Sequence, residues 1–152
     1  MTVAAILKAK GDWMVMTEPD TPIAEAVERM RLDAIGALLV STDGRKLLGV
    51  LSERDVLLGF AKHSAALAKR KVRDVMSPPG PTCSPDDSVR RAMEIMTVSR
   101  ARHLSVLDSN CLCGIVSIGD VVKFLLRDAE LENKVLRDLC PMPGFGRLSG
   151  PE

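Results

Sequence analysis

Aromatic residues and net charge are both scarce in this chain. Tyrosine is absent, aromatic residues make up 3% of the 152 positions, and 21 basic against 20 acidic side chains leave a net charge of +1. A protein that binds nucleic acid needs clustered positive charge to release counterions, and aromatic rings if it is to stack on single-stranded bases. The composition therefore disfavours nucleic acid as a partner.

Long apolar runs are missing as well. No stretch approaches the ~18 consecutive apolar residues of a membrane-spanning helix. The first ten residues, MTVAAILKAK, are too short and too polar for a signal peptide. The sequence predicts a cytoplasmic protein with no membrane partner, and its 46% of hydrophobic residues is enough to form a core.

Cysteine and histidine are few, and their spacing does not predict a metal site. The four cysteines are Cys83, Cys111, Cys113 and Cys140, and there are two histidines. Without an export signal we expect reduced thiols. Cys111-x-Cys113 lacks the second ligand pair of a structural zinc site, and we expect its two thiols on opposite faces of their strand. A redox role for this pair stays open.

Signatures of catalysis are not apparent either. The sequence offers no nucleophile–base pair, no glycine-rich phosphate loop and no cluster of metal ligands. It predicts a protein that binds rather than an enzyme. An enzyme stays an alternative class, and nucleotide turnover that depends on the duplicated acids described next would support it.

The chain contains one seven-residue motif twice, as Gly49-Val50-Leu51-Ser52-Glu53-Arg54-Asp55 and as Gly114-Ile115-Val116-Ser117-Ile118-Gly119-Asp120. The Gly, Ser and Asp positions of the two copies are each 65 residues apart. Each copy reads as the end of a buried strand that runs into a helix, with Ser-x-x-Asp as a capping box. A hydroxyl, a carboxylate and free N–H groups then meet at a helix N-terminus, which suits a phosphate or a ribose. The alternative is two capped helices without a ligand.

The rest of the chain repeats with nearly the same spacing. The first pass predicts helix 3–9, strand 13–17, a helix capped by Thr21 with Ile23, Ala26, Val27 and Met30 on its buried face, strands 37–40 and 46–51, and helix 52–63. The second pass predicts an opening segment at 72–76, strand 81–83, a helix after Ser88 with Val89, Ala92, Met93 and Met96 buried, strands 103–107 and 111–116, and helix 118–139. We place the repeats at residues 3–66 and 70–139, followed by a flexible tail at 140–152.

These elements predict an α/β (α+β) fold of two βαββα repeats. One repeat alone is too small to bury much surface, so the two are expected to pack about a pseudo-twofold axis, with both motifs in a shared cleft. The last helix is longer than its counterpart and carries a seam of Val122, Leu125, Ala129, Leu136 and Leu139. It either lies back on its own domain or contacts a second copy of the chain.

With the repeat, the motif and the element order in hand, the chain resembles a tandem pair of CBS domains, most closely the small stand-alone bacterial proteins that consist of one pair. The resemblance covers residues 3–139 and rests on segments 35–40 and 49–55 in the first repeat and on 100–106 and 114–123 in the second. It implies a regulatory module that binds AMP, ATP, NAD(H) or S-adenosylmethionine, requires no cofactor and performs no chemistry. It also implies a homodimer of paired modules that acts on an unidentified regulated protein.

The resemblance also assigns the ligand contacts by position. The ribose falls to Asp55 and Asp120, helped by Ser52 and Ser117 and by the adjoining Ile118 and Gly119. The adenine falls to the first and middle strands, at Val15, Met16, Thr17, Ala37, Leu38, Pro81, Thr82, Cys83, Leu104 and Ser105. The phosphates are assigned to Arg102 first, then to His103 and Arg100. At the corresponding positions the first repeat has Gly36, Ala37 and Ala34, none of which carries a charge. Arg54 and Lys123 are secondary phosphate candidates.

Two positions depart from the family pattern. The family commonly has proline in its middle strand, where this chain has Leu39 and Ser105. Losing that kink alters how closely the backbone approaches a base. A structural dimerisation module with vestigial sites, or a thiol sensor using Cys111 and Cys113, is therefore the alternative function.

Overall fold

The computed structural model describes residues 1–11 and 14–139, and within them it contains five α-helices and two three-stranded sheets. In chain order the elements are α1 (Val3–Lys10), β1 (Met16–Thr17), α2 (Ile23–Leu32), β2 (Ala37–Val40), β3 (Gly49–Ser52), α3 (Glu53–His63), β4 (Thr82–Cys83), α4 (Val89–Ser99), β5 (His103–Asp108), β6 (Cys111–Ser117) and α5 (Ile118–Leu139). Two short 3-10 helices, Ser64–Lys69 and Val72–Asp74, connect the repeats. The tail predicted at 140–152, like Cys140 and the start of the strand predicted at 13–17, lies outside the described residues.

The two sheets share one topology. Their strand orders are β1-β2-β3 and β4-β5-β6, each with a parallel pair followed by an antiparallel pair. Leu39 pairs with Val50 in the first sheet, and Ser105 pairs with Ile115 in the second. The predicted fold class, two βαββα repeats with a long C-terminal helix, is confirmed.

Each repeat contributes its opening segment to the core of the other. Val3 and Ile6 of α1 are buried with Leu104 and Val116 of the second sheet. Val72, at the start of the second repeat in sequence, is buried against the core of the first sheet. The boundaries 3–66 and 70–139 stay a prediction about repeats in the sequence, because the packed cores interleave across them.

The two motif glycines lie where these exchanged segments cross the sheets. A β-carbon on Gly49 would lie 2.6 Å from the backbone oxygen of Ser77, and one on Gly114 would lie 2.9 Å from a Leu7 methyl carbon. The backbone of Ser77 also pairs with Val50, through two N–H···O bonds of 3.0 Å. Glycine at these positions therefore admits the opening segment of the other repeat.

Both motif helices begin with the predicted caps. The Ser52 hydroxyl accepts from the Asp55 N–H at 3.2 Å, and the Asp55 carboxylate accepts from the Ser52 N–H at 2.8 Å. Ser117 and Asp120 make the matching pair at 3.1 and 2.9 Å. These reciprocal bonds satisfy amide groups that a helix start leaves without partners.

Several predicted details differ from the structure. Helix α2 begins at Ile23 with Pro22 in the capping position, because the Thr21 carbonyl oxygen accepts from Val72 N–H and Pro22 pairs with Lys71. Strand β3 begins at Gly49 rather than at residue 46, because Asp43 accepts from the amides of residues 45 and 46 and extends the turn. Val27 and Met93, predicted on buried faces, are exposed.

Helix α5 has 22 residues, twice the length of α3. Its first turns pack on the second core through Val121, Phe124 and Leu125. All residues from 131 to 139 are exposed, so these last turns do not lie back on the described part of the chain. No helix among the described residues is long and apolar enough to cross a membrane.

We expect Gly49→Ala to lower the free energy of unfolding by about 2 kcal/mol, because the new β-carbon would overlap a backbone oxygen that has little room to retreat. Gly114→Ala is the matched control, since its clash is with the end of a flexible leucine side chain, and we expect it to cost less. Urea denaturation followed by circular dichroism measures both. Equal losses, or a larger loss for Gly114→Ala, would contradict this account.

Candidate functional site

A cleft of about 1560 Å³ lies between the two repeats and is lined by both of them. It opens beside the first turns of α3 and α5, where the duplicated motifs end. Eleven of the predicted site residues line it: Ser52, Arg54, Asp55, Pro81, Arg100, Arg102, His103, Ser105, Ser117, Ile118 and Gly119. The structure therefore brings the second-repeat basic residues and the first-repeat motif into one cavity.

The other predicted site residues do not line this cleft. They are Val15, Met16, Thr17, Ala37, Leu38, Thr82, Cys83, Leu104 and Asp120. The side chains of Leu38 and Leu104 are completely buried in the two cores. Val15, Ala37 and Cys83 are buried too, and burial raises the pKa of the Cys83 thiol to about 11. Asp120 lies in a separate small pocket.

Part of the cleft wall was not predicted from the sequence. Ser77, Pro78 and Gly80, which precede the first strand of the second repeat, line the cavity beside Asp55. The turn-forming Pro and Gly residues just before that strand were the available signal. What the sequence did not reveal was that this segment crosses to the first sheet, and that crossing is what puts it in the site.

The carboxylate of Asp55 is held entirely by neutral donors among the described residues. One oxygen accepts from the Ser52 N–H at 2.8 Å and from the Ser52 hydroxyl at 2.6 Å, and the other accepts from the Ser77 hydroxyl at 2.6 Å. Hydroxyl donors of this kind are what the hydroxyls of a sugar would replace. Asp55 can therefore exchange an internal hydroxyl donor for a ligand hydroxyl without breaking an ion pair.

The carboxylate of Asp120 is held by a cation. Lys10, at the end of α1, donates to it at 2.8 Å, and the Ser117 N–H donates to the same oxygen at 2.9 Å. Burial raises the pKa of Asp120, but the bonds from Lys10 and Ser117 outweigh burial and hold the pKa below its usual value. The equivalent acids of the two motifs thus have different electrostatic surroundings.

Positive charge predominates in the cleft. Four arginines and two acids line it. Arg31 is paired with Glu28 at 2.6 Å, whereas Arg54, Arg100 and Arg102 make no ion pair within the described chain. Unpaired guanidinium groups around a cavity favour an anionic ligand, because each can give two parallel hydrogen bonds to a phosphate or a carboxylate.

His103 lines the cleft and lies beside Gly36 of the first repeat. A β-carbon on Gly36 of the first repeat would lie 3.6 Å from the imidazole of His103 and 3.5 Å from the Glu53 carboxylate. Burial lowers the pKa of His103, and the positive charges of Arg102 and Lys10 lower it further against the opposing effect of Asp120 and Glu53. The lowered pKa favours the neutral imidazole, which can donate one hydrogen bond and accept another.

The cysteines gather no metal site in the part of the chain that the structure describes. No group of three or more His, Cys, Asp or Glu side chains there is placed to hold an ion. Strand β6 puts Cys111 and Cys113 on the same face, because residues two apart in a strand point the same way. The expectation of opposite faces is wrong. Cys111 is exposed, and Cys113 is partly buried.

Known proteins are similar to this chain in sequence and in architecture. The CBS domain family matches residues 11–62 and 72–127. The mitochondrial CBS domain-containing protein CBSX3 of Arabidopsis thaliana is 34% identical over 140 residues, which are 86% of this chain and 68% of that protein. The crystal structure of a CBS-domain protein from Agrobacterium tumefaciens superposes with a TM-score of 0.75 at 36% identity, covering 81% of this chain and 98% of that one.

Similar structures have been solved with AMP bound. The crystal structure of CBSX2 in complex with AMP superposes with a TM-score of 0.70 at 25% identity, covering 84% of this chain and 98% of that one. The family match covers most of the chain in two separate segments, and each segment corresponds to one of the two sheets. The chain belongs to the CBS domain family and carries that domain twice, as a tandem pair.

Proposed function

We propose that this CBS pair is a regulatory module that binds AMP in the cleft between its repeats. The observation that carries the proposal is that one cavity is lined by Asp55, which accepts only from neutral donors, and by three arginines that make no ion pair within the described chain. A carboxylate suits ribose hydroxyls, and guanidinium groups suit a phosphate. AMP presents both, and the AMP complex of the similar CBSX2 supports this choice.

In this proposal Asp55 accepts the two ribose hydroxyls in place of the Ser77 hydroxyl. Arg102, with Arg100 and His103, receives the phosphate from the second repeat. The ligand then contacts both repeats, so its binding favours one relative arrangement of the two over others. ATP and NAD(H) extend further from the same ribose, and a cleft of 1560 Å³ has the volume for them.

The two ends of the ligand can be tested separately by calorimetry with AMP and with adenosine. We expect Asp55→Asn to weaken both ligands by roughly ten- to a hundredfold, because each loses charge-assisted bonds to the ribose. We expect Arg102→Gln to weaken AMP about tenfold and to leave adenosine unchanged, because adenosine has no phosphate.

The matched controls are Asp86→Asn and Arg90→Gln, which change exposed residues outside the cleft and should leave both affinities unaltered. Arg102→Gln weakening adenosine as much as AMP would contradict the phosphate role. No adenosine ligand binding below millimolar concentration would overturn the proposed function.

His103 makes the binding of AMP dependent on pH. In the free protein burial, Arg102 and Lys10 lower the pKa of the imidazole, opposed by Asp120 and Glu53. A phosphate placed beside it favours the imidazolium and raises that pKa, so binding takes up a proton and strengthens as the pH falls toward the lowered pKa of the free imidazole.

Calorimetry of AMP in two buffers of different ionisation enthalpy gives the number of protons taken up. We expect His103→Gln to abolish this uptake and His63→Gln, at the chain's other histidine, to preserve it. Adenosine serves as the ligand control and should bind without uptake. Uptake that persists in His103→Gln would assign the proton to another group.

We also propose that the pair functions as a homodimer through the exposed helical face of its repeats. Equivalent positions expose apolar side chains in both repeats: Leu32 with Val98, and Leu57 with Val122. Large contiguous apolar surfaces on a monomer are uncommon. A face that occurs twice about a pseudo-twofold axis can meet its own copy isologously.

Light scattering after size exclusion tests the dimer. We expect twice the chain mass for the wild type and a monomer for Leu57→Glu, which would place a charge in the apolar interface. Leu131→Glu changes a similarly exposed leucine in the last turns of α5 and should leave the dimer intact. Dissociation by Leu131→Glu instead of Leu57→Glu would move the interface to the end of α5.

A further inference from the structure

The two motif acids have different internal partners, and we propose that Lys10 is a built-in competitor that keeps the small pocket beside Asp120, the Asp120 site, closed to ligand. The inference rests on the proposed function and adds a rule of occupancy to it. One nucleotide binds beside Asp55 in the cleft, and a second binds at the Asp120 site only after the lysine is displaced.

The first support is the charge of the internal partner. The Ser77 hydroxyl that contacts Asp55 is neutral and can be replaced by a sugar hydroxyl, bond for bond. The Lys10 ammonium contacts Asp120 at 2.8 Å and the Ile115 carbonyl oxygen at 3.3 Å. A ribose entering there must break an ion pair and leave the ammonium without its two acceptors.

The second support is the space around each acid. Asp55 lines the 1560 Å³ cleft, which extends to Ser117, Ile118 and Gly119 but stops short of Asp120. The Asp120 pocket, walled by Lys10 together with residues of α1 and α5, has about 180 Å³. Pockets that hold small organic ligands usually have at least about 300 Å³, so this pocket has no room for a nucleoside while Lys10 stays in place.

The third support is the anchoring of helix α1, which fixes the position of Lys10 beside Asp120. Helix α1 is anchored by the buried Val3 and Ile6, by the Val3 N–H bond to the Asp87 oxygen at 2.9 Å, and by Leu7 against Gly114. The backbone of α1 cannot move away without uncovering the second core. The lysine side chain is 31% exposed and its partner 19%, so displacement means swinging the Lys10 side chain alone toward solvent.

Moving the Lys10 side chain away breaks its ion pair with Asp120, and this cost in free energy lowers the affinity of AMP for the Asp120 site. An ion pair that is partly screened by solvent contributes less than a buried one. We therefore expect the second AMP to bind about tenfold more weakly than it would without the lysine.

Calorimetry with AMP on the full chain tests the inference through Lys10→Met, which keeps the aliphatic stem and removes the charge. The wild type should bind one AMP per chain tightly and a second weakly. In Lys10→Met the second should bind about tenfold more tightly, and Asp120→Asn on that background should abolish the gain. Lys8→Met, on an exposed lysine of the same helix, is the control, and Lys10→Arg should retain the closed behaviour.

Each remaining outcome is decisive. A melting curve checks that Lys10→Met is folded. If the first AMP binds and this variant leaves the affinity of the second site unchanged, the competitor role is wrong while the proposed function stands. If Lys10→Met weakens the second site, Lys10 is a ligand of the nucleotide and the inference is overturned. If no variant binds AMP at all, both the proposed function and this inference fail together.

Discussion

The close crossing of Ser77 over Gly49 and of Leu7 over Gly114 is the constraint on which the rest of the structure depends. A small three-stranded sheet with two helices buries too little surface to be stable alone. Each sheet here completes its core with the opening segment of the other repeat. Because the segment must pass over the motif strand, that strand carries a glycine, and the same crossing delivers a polar side chain to the motif acid.

The motif acid therefore has two tasks that share one geometry. Asp55 and Asp120 each cap the start of a helix by accepting a bond from the serine amide three residues earlier. A capping carboxylate must sit at the helix N-terminus, where its position is fixed and its negative charge is favoured. In the proposed function the same carboxylate also receives the ligand, and its availability depends on the side chain that contacts it, Ser77 at Asp55 and Lys10 at Asp120.

The sequence predicted the fold better than the site, and the reason is physical. The spacing of 65 residues, the Ser-x-x-Asp caps and the apolar periodicity are local properties, and they gave β2, α3, α5 and the duplicated topology closely. Which side chains face the cleft depends on how the repeats interleave, and this is a long-range property. For that reason Leu38 and Leu104 are core residues, Ser77 was missed, and Lys10 was not connected with Asp120.

The geometry of the basic residues illustrates the same distinction. Arg102 and His103 were predicted from the contrast with Gly36 and Ala37, and the structure places both in the cleft. Their proximity to the first repeat follows from the pseudo-twofold axis, which brings Gly36 against the imidazole. Alternation along a strand likewise fixes the side of the sheet that a residue faces, and it places Cys111 and Cys113 on the same side of β6.

The length of α5 would turn a small tilt at its base into a larger displacement of its far end. Its first residues, Ile118 and Gly119, form part of the cleft wall, and its last turns extend free of the described chain. At about 1.5 Å per residue its 22 residues span about 33 Å. A tilt of roughly 5° at its base would move its far end by about 3 Å, enough to make or break side-chain contacts there. A change too small to repack the interior would thus be amplified at a distant surface that another protein can touch.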